Sequence, residues 1–323
     1  MKRALVVGFG SIGRRHFRHF RNLGCSPMDV FRTGKATMPD DEELQPDNIY
    51  YDFDEALAQK PDVVVVANPT SLHVDAALKA VRAGCHVLVE KPISHNLDGC
   101  LDLAAEAVRH QCIVGIAHNQ RYHPLIRRLK QMIETGDPLG TPLMAHAHMG
   151  GYLPDWHPWE DYKQGYAARQ DLGGGSSLTN IHELDFILWL LGDAKVHAGV
   201  ELGMHPLETD VDEASAFVLR HESGVISALT FSLAHKPQRR TTDISFTGGN
   251  AHLDLIAGEL RLDFAANASE VIEPDDEWDM DDTYRDQAAD FLAAVEGTTE
   301  GAFTKVDEAM AALTIALDRK GSA

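Results

Sequence analysis

Short apolar runs alternate with stretches of helical periodicity through the first third of the chain. Ala4–Gly8 (ALVVG) reads as a buried strand, Ile12 to about Leu23 as a helix and Met28–Thr33 (MDVFRT) as a second strand. Asp54–Lys60 predicts a short helix, and Asp62–Asn68 (DVVVVAN) a third strand. The helix from Ser71 stops at Gly84, as helices commonly do at glycine, and His86–Pro92 (HVLVEKP) supplies a fourth strand. Leu97–Gln111 predicts another helix and Cys112–Asn119 a fifth strand. Strands alternating with helices imply an α/β fold: a doubly wound, parallel Rossmann sheet with helices on both faces, over residues 1–120. Chemistry in such a sheet sits at the carboxyl ends of its strands.

From residue 121 the texture changes. Arg121–Gly136 is an amphipathic helix, followed by longer strands at 141–150, 194–202, 213–221, 224–235, 240–249 and 251–256. Several alternate with period two, as a sheet with one packed face does. Residues 121–323 therefore predict a second α/β domain with a mixed or antiparallel sheet, which the family resemblance given below implies to be large and open. Its last helices, at 287–297 and 306–319, are placed where they can pack back on the first domain. The acidic run Pro274–Asp282 reads as a solvated loop.

The glycine motif GFGSIG (Gly8–Gly13) ends the first strand and opens the first helix. Gly8 suits the tight turn, Gly10 lets the backbone approach a pyrophosphate, and Gly13 lets the helix lie close to the sheet. The N–H groups of Ser11 and Ile12 at the helix start then suit the phosphates. At the end of the second strand, where an acidic residue would bind the ribose of NAD, stand Arg32, Thr33, Gly34 and Lys35. A guanidinium beside a hydroxyl suits a 2′-phosphate, so NADP is the preferred cofactor over NAD; a solvent-exposed loop arginine is the alternative. Glu90, Lys91 and Pro92 close the fourth strand. A lysine there either relays a proton to a substrate oxygen, with Pro92, in a trans or a cis bond, aiming it, or the motif is a strand-end salt bridge through Glu90.

A formal net charge of −20 over 323 residues excludes a broad nucleic-acid or anionic-membrane surface, which needs a basic footprint. No apolar run reaches membrane-spanning length, and MKRALVVGFG is too short for a signal peptide. Cys25, Cys85, Cys100 and Cys112 form no CxxC pair and read as reduced, so a cytoplasmic location is expected. His146, His148, His157 and His182 lack compact ligand spacing, and no metal is expected.

GFGSIGRRH, ANPTSLH (Ala67–His73), VLVEKP, NQRYHP (Asn119–Pro124) and GGGSSLTNIHELD (Gly173–Asp185) occur in an order that resembles the glucose-fructose oxidoreductase, inositol dehydrogenase and MocA family. The resemblance covers nearly the whole chain. It implies that Lys91 is the catalytic lysine, that Asn68, Pro69 and His73 lie near the nicotinamide with Glu90, and that His182 is a catalytic histidine. It also implies a homo-dimer or homo-tetramer built on the open sheet. One departure stands out: the family's aspartate four residues before the histidine is Leu178 here, leaving Thr179 or Asn180 to fill its place. Taken alone, His182 either acts chemically or caps a helix whose Ile181, Leu184, Leu188 and Leu191 trace an apolar stripe.

Gly150–Gly175 is the expected specificity segment. Tyr152, Trp156, Trp159, Tyr162 and Tyr166 either stack on sugar faces or anchor a loop, and His157, Lys163 and Arg169 suit hydroxyls, a carboxylate or a phosphate. Arg121, in NQRYHP, joins these substrate candidates. The expected activity is hydride transfer between a nicotinamide and a sugar, sugar-nucleotide or polyol carbon. Its rivals are a redox-neutral elimination, epimerisation or glycoside cleavage on a tightly held cofactor, and a non-catalytic dinucleotide-binding regulator.

Overall fold

Four consecutive valines, all buried, can only be a strand covered on both faces. In the computed structural model, which describes residues 1–34, 44–156, 161–266 and 268–318, they form the centre of a parallel sheet. The first compact unit comprises Met1–Asn119 and Asp279–Met310. It holds β1 (Ala4–Val7), α1 (Ser11–Asn22), β2 (Met28–Phe31), β3 (Asn48–Tyr50), α2 (Phe53–Leu57) and β4 (Val63–Val66), then α3 (His73–Arg82), β5 (His86–Val89), α4 (Cys100–Arg109) and β6 (Val114–Ile116). The six strands run in the order β3-β2-β1-β4-β5-β6, all parallel. The order reverses between β1 and β4, so their carboxyl ends flank the crevice where such sheets bind ligands. Edge strand β3 was not predicted, because its three residues are mostly exposed and carry no apolar run. The predicted helix from Leu97 starts only at Cys100, after Gly99 takes a left-handed φ of 72°.

The second unit comprises Gln120–Trp278 and the chain from Ala311. It contains α5 (Pro124–Thr135), β7 (Pro142–Tyr152), α6 (Ser176–Thr179), α7 (His182–Leu191), β8 (Ala194–Glu201), β9 (Ala214–His221), β10 (Ile226–Ser232), β11 (Ala234–Phe246), β12 (Gly249–Asp254), β13 (Glu259–Phe264) and β14 (Glu270–Ile272). Eight strands form one open sheet, β14-β13-β12-β11-β7-β10-β9-β8, antiparallel except for the parallel β7–β10 pair. Ala145, Ala147 and Met149 of β7 are buried, while Met144 and His146 point to the open face, as a period-two strand requires. The strand predicted at 240–249 is the second half of β11 and runs up to β12; β13 and β14 were not predicted.

Two helices follow, α8 (Asp281–Val295) and α9 (Val306–Leu317). Ala288, Phe291, Leu292 and Ala294 of α8 share a core with Phe17 and Phe20 of α1 and with Val6, Val30 and Val65 of the parallel sheet. The acidic run expected as a loop divides: Asp281 and Asp282 open α8, and Asp281 meets Arg15 at 3.1 Å and His19 at 3.0 Å.

His123 caps α5, its Nδ1 accepting the Leu125 N–H at 3.2 Å, and its ring meets Trp278 edge-on with centroids 4.5 Å apart. The cap needs the lone pair of a neutral ring. Burial, with a contribution from the Arg240 charge, pushes the His123 pKa down to about 4. The unfolded chain takes up a proton near pH ~6.5 that the fold resists, so stability present at neutral pH is lost as pH falls from about 6.5 towards 4. Burial lowers His73, His86 and His221 in the same direction. The urea midpoint is expected to drop across this window. His123→Asn, which caps without titrating, should remove roughly 3 kcal/mol of the drop; an unchanged slope in the variant would show that His123 is not the group responsible.

Candidate active site

The glycine turn combines two crowded positions with one open one. Gly8 has φ 92°, and a Cβ there would lie 2.7 Å from the Ala67 carbonyl oxygen, so β1 and β4 approach too closely for a side chain. A Cβ at Gly13 would stand 2.1 Å from the Gly8 carbonyl oxygen. Gly10 has ordinary backbone, φ −78°, with nothing within 4 Å of its Cβ position. α1 starts there with no side-chain cap and no acidic residue in its first turn. The N–H groups of Ser11, Ile12 and Gly13 have no acceptor within the helix, and the macrodipole favours an anion beside them. Open ground at Gly10 beside an uncapped helix start is what a dinucleotide pyrophosphate requires, so these residues fit that group.

Arg32 follows the end of β2, where its N–H donates to the Tyr50 carbonyl at 3.0 Å; the side chain is half-buried, and Thr33 and Gly34 are exposed. Lys35, His157 and Trp159 lie outside the described residues. Asp29, at the opposite end of β2, is buried and accepts from Asn48 Nδ2 at 2.8 Å.

At the end of β5 the Glu90 N–H donates to the Val66 carbonyl at 2.8 Å, holding the EKP turn beside β4. Lys91 is half-buried and its bond to Pro92 is cis. The buried Glu90 carboxylate accepts from His16 Nε2 at 2.7 Å and from the Lys91 N–H at 3.0 Å. Burial pushes this carboxyl upward, but the His16 hydrogen bond and the His16 and Lys91 charges outweigh burial and hold it below the ordinary carboxylate value. His73 is fully buried, with Nδ1 2.8 Å from the Pro92 carbonyl and Nε2 2.8 Å from the Asn68 carbonyl. A neutral ring donates to only one of these, and burial lowers its pKa. Glu90 and His73, expected among the cofactor contacts, thus have their side chains engaged by the protein itself. Pro69 is exposed and Asn68 half-buried beside them.

In the second unit His182 is the first residue of α7 and is 9% exposed. It does not cap the helix: the N-cap is Ile181 and no side chain caps it. Nor is α7 striped, since every residue but Trp189 is buried. Its carboxylates are paired across the fold. Asp185 takes two hydrogen bonds from Arg121, at 2.9 Å from Nε and 2.8 Å from Nη2, and Glu183 takes one from Arg240 Nε at 2.5 Å. The Arg121 guanidinium, expected to meet substrate, is therefore held in a buried ion pair. α6 is anchored by Asp212, which accepts from the Ser176 N–H at 3.0 Å and from the Ser176 hydroxyl. Leu178 and Thr179 are buried, and Asn180 Nδ2 donates to the Ser176 carbonyl at 3.0 Å.

The aromatic segment is largely an anchored loop. Trp156 packs where a Cβ on Gly151 would lie, 2.9 Å from its ring nitrogen; the Tyr162 hydroxyl donates to the Leu207 carbonyl at 3.0 Å; the Lys236 ammonium sits 3.3 Å from the centre of the Tyr152 ring. Arg169 pairs with Asp171 and Lys163 with Glu208 at the surface. Tyr166 is exposed. His16, Asp185, Glu183, Arg240 and Asp212 escaped sequence reasoning. His16 in GFGSIGRRH, and Glu183 and Asp185 in GGGSSLTNIHELD, lay within motifs that carried the resemblance, but nothing there marked their partners.

All four cysteines are free, and burial pushes Cys25, Cys85 and Cys100 up to about 11, 12 and 11, leaving no poised thiolate among them. Among the described residues no group of three or more His, Cys, Asp or Glu is arranged to hold a metal, and no helix is long and apolar enough to cross a membrane.

A parallel sheet in this strand order, with a glycine turn opening at its crossover, defines a Rossmann-type dinucleotide-binding protein. Residues 2–118 match the model of an oxidoreductase family with an NAD-binding Rossmann fold, and residues 126–252 match the C-terminal domain of the GFO/IDH/MocA proteins. The chain belongs to the Gfo/Idh/MocA oxidoreductase family. It is 28% identical over 211 residues to inositol 2-dehydrogenase 3 of Saccharopolyspora erythraea, a match covering 60% of this chain and 55% of that enzyme. The chain thus spans about half the length of that relative. It is 27% identical over 263 residues to the 1,5-anhydro-D-fructose reductase of Ensifer adhaerens, covering 78% and 75% of the two chains. An inositol dehydrogenase homologue from Azotobacter vinelandii, complexed with NAD+, shares the fold with a TM-score of 0.84 at 16% identity, over 97% of this chain and 92% of that one.

The glycine geometry separates binding from folding. Gly10→Ala is expected to leave the melting temperature nearly unchanged while weakening NADH binding about tenfold, because the added methyl enters ground the pyrophosphate needs. Gly13→Ala, forced against the Gly8 carbonyl, should lose the fold itself. Fluorescence titration and thermal melts of the two variants check this; unaltered NADH affinity in Gly10→Ala would remove the glycine turn from the binding site.

Proposed function

We propose that this protein is a cytoplasmic NAD(P)-dependent dehydrogenase or reductase acting on the CH–OH group of a sugar, sugar nucleotide or polyol. The observation that carries the reading is the open backbone at Gly10, beside the start of α1 and at the crossover of the parallel sheet, with Lys91 at the end of β5 in that sheet. A nicotinamide bound at that crevice supplies the hydride acceptor or donor. Lys91 relays the proton that leaves the hydroxyl oxygen on oxidation and returns on reduction. His182 is the candidate catalytic residue of the second unit. Thr179 at the end of α6, Asn180 after it, Tyr152 at the end of β7 and Trp156 beyond it remain substrate candidates. The names of the relatives, which act on inositol or on anhydrofructose, support a polyhydroxylated substrate.

Arg32 favours NADP over NAD, because its guanidinium pairs with a 2′-phosphate in a way no ribose hydroxyl reproduces. The outward face of the second unit's sheet exposes Met144, Val218 and Ile226, which supports a homo-dimer or homo-tetramer built there.

The test is a panel of myo-inositol, 1,5-anhydro-D-fructose and a UDP-sugar with both cofactors, read by nicotinamide absorbance. Lys91→Ala should lower kcat by about 10²–10⁴-fold with dinucleotide affinity intact; equal loss of both would overturn the proton-relay role. Product formation without net change in nicotinamide absorbance would instead favour a redox-neutral reaction. Arg32→Ala should weaken NADPH by at least about tenfold and leave NADH nearly unaffected; the same loss for both would make Arg32 a bystander to the cofactor choice.

A further inference from the structure

We propose that His16 is a positioning residue for Lys91, acting through the carboxylate of Glu90; this rests on Lys91 as the proton relay. His16 lies on α1, three residues after Gly13, and is 0% exposed. Its Nε2–H donates to Glu90 Oε1 at 2.7 Å, while Glu90 Oε2 accepts the Lys91 N–H at 3.0 Å. The carboxylate therefore bridges a helix side chain to the backbone of the lysine, with one oxygen for each.

Packing alone gives no reason for a histidine at this place. Buried with it on α1 are Phe17 and Phe20, together with Arg14 and His19, and its ring meets Phe20 and Tyr284 at centroid distances of 6.4 and 5.9 Å. Its Nδ1 is buried without a hydrogen-bond partner. A leucine would fill such a site without burying an unsatisfied nitrogen. What the imidazole supplies and leucine lacks is the donor to Glu90.

The geometry beyond Lys91 continues the same device. The Pro92 carbonyl lies 2.8 Å from His73 Nδ1, and His73 Nε2 lies 2.8 Å from the Asn68 carbonyl. Lys91 is thus held on both sides of its backbone, by the Glu90–His16 pair before it and by the His73 bridge after it. The helix that offers its N-terminus to the pyrophosphate carries one of these clamps. Hydride acceptor and proton relay consequently share one rigid mount, and a displacement of about 1 Å at such a group costs on the order of 10²-fold in rate.

The experiment compares His16→Leu, His16→Gln and Lys91→Ala, using the panel alcohol that the wild type oxidises fastest. Reading kcat, KM for the alcohol, NADH affinity by fluorescence and melting temperature, His16→Leu should lose about tenfold to a hundredfold in kcat per folded molecule, with NADH affinity within about threefold of wild type. His16→Gln, whose amide N–H reaches to the same carboxylate, should recover kcat to within about threefold. Wild-type kcat in His16→Leu alongside an inactive Lys91→Ala overturns this proposal alone, as does an equal loss of rate and NADH affinity. An active Lys91→Ala overturns the reading beneath it and this proposal together. Should His16→Leu fold poorly with the Glu90 charge unpaired, the double variant His16→Leu with Glu90→Gln removes that charge; low kcat in the folded double variant supports the proposal and wild-type kcat overturns it.

Discussion

A side chain at residue 13 would place its first carbon 2.1 Å from the carbonyl oxygen of Gly8, and much of the first unit depends on that position being empty. With only hydrogen there, α1 lies directly against the end of β1. Its inward residues Phe17 and Phe20 then complete the core over Val6, Val30 and Val65, where α8 closes them off through Phe291. The same approach leaves the start of α1 at the crossover of the sheet and carries His16 to Glu90. One missing methyl therefore governs the core, the placing of the uncapped helix start and the seating of the EKP turn.

The second unit solves a different problem. α7 is buried on nearly every face, yet it carries Glu183 and Asp185 next to His182. A lone buried carboxylate is strongly unfavourable, and each is matched by an arginine from elsewhere in the unit, Arg240 on β11 and Arg121 before α5. Such pairs add little net stability over an apolar core, but they allow one helix position and few others. The Asp212 clasp on Ser176 fixes the preceding turn in the same way, where Gly175 takes φ 121° and a Cβ would stand 2.3 Å from the aspartate oxygen. A helix bearing a candidate catalytic histidine is thus located by directional bonds as well as by packing.

The net charge of −20 lies mostly on exposed side chains, where acidic groups meet arginine or lysine in pairs such as Arg285–Asp282 and Lys163–Glu208. Exposed pairs of this kind contribute little stability. The acidic charges that matter to the fold are the few buried ones, Asp29, Glu90, Glu183, Asp185 and Glu213. Glu213 belongs with the structural group, accepting the Leu207 and Thr209 N–H groups and tying down the loop between β8 and β9.

The parallel sheet, the glycine turn and the lysine at a strand end were legible in the sequence because each is written locally. Four valines in a row, three glycines within six residues and EKP after an apolar run need no distant partner to be understood. The family resemblance added His182 and the character of the second sheet. Short or exposed edge strands such as Asn48–Tyr50 and Glu270–Ile272 left no periodic signal. What only the tertiary structure decided is how the polar residues are used. His16 and Glu90 stand 74 positions apart, Arg121 and Asp185 64, Arg240 and Glu183 57, and Ser176 and Asp212 36. No local pattern marks such partners, since a buried charge is matched by whatever the fold brings within 3 Å of it. The sequence by itself determined where a glycine turn and a lysine would stand in the parallel sheet; the folded chain decided that Glu90, His73 and Arg121, read first as ligand contacts, hold the protein's own backbone and side chains, because burial obliges a polar group to find its partner inside.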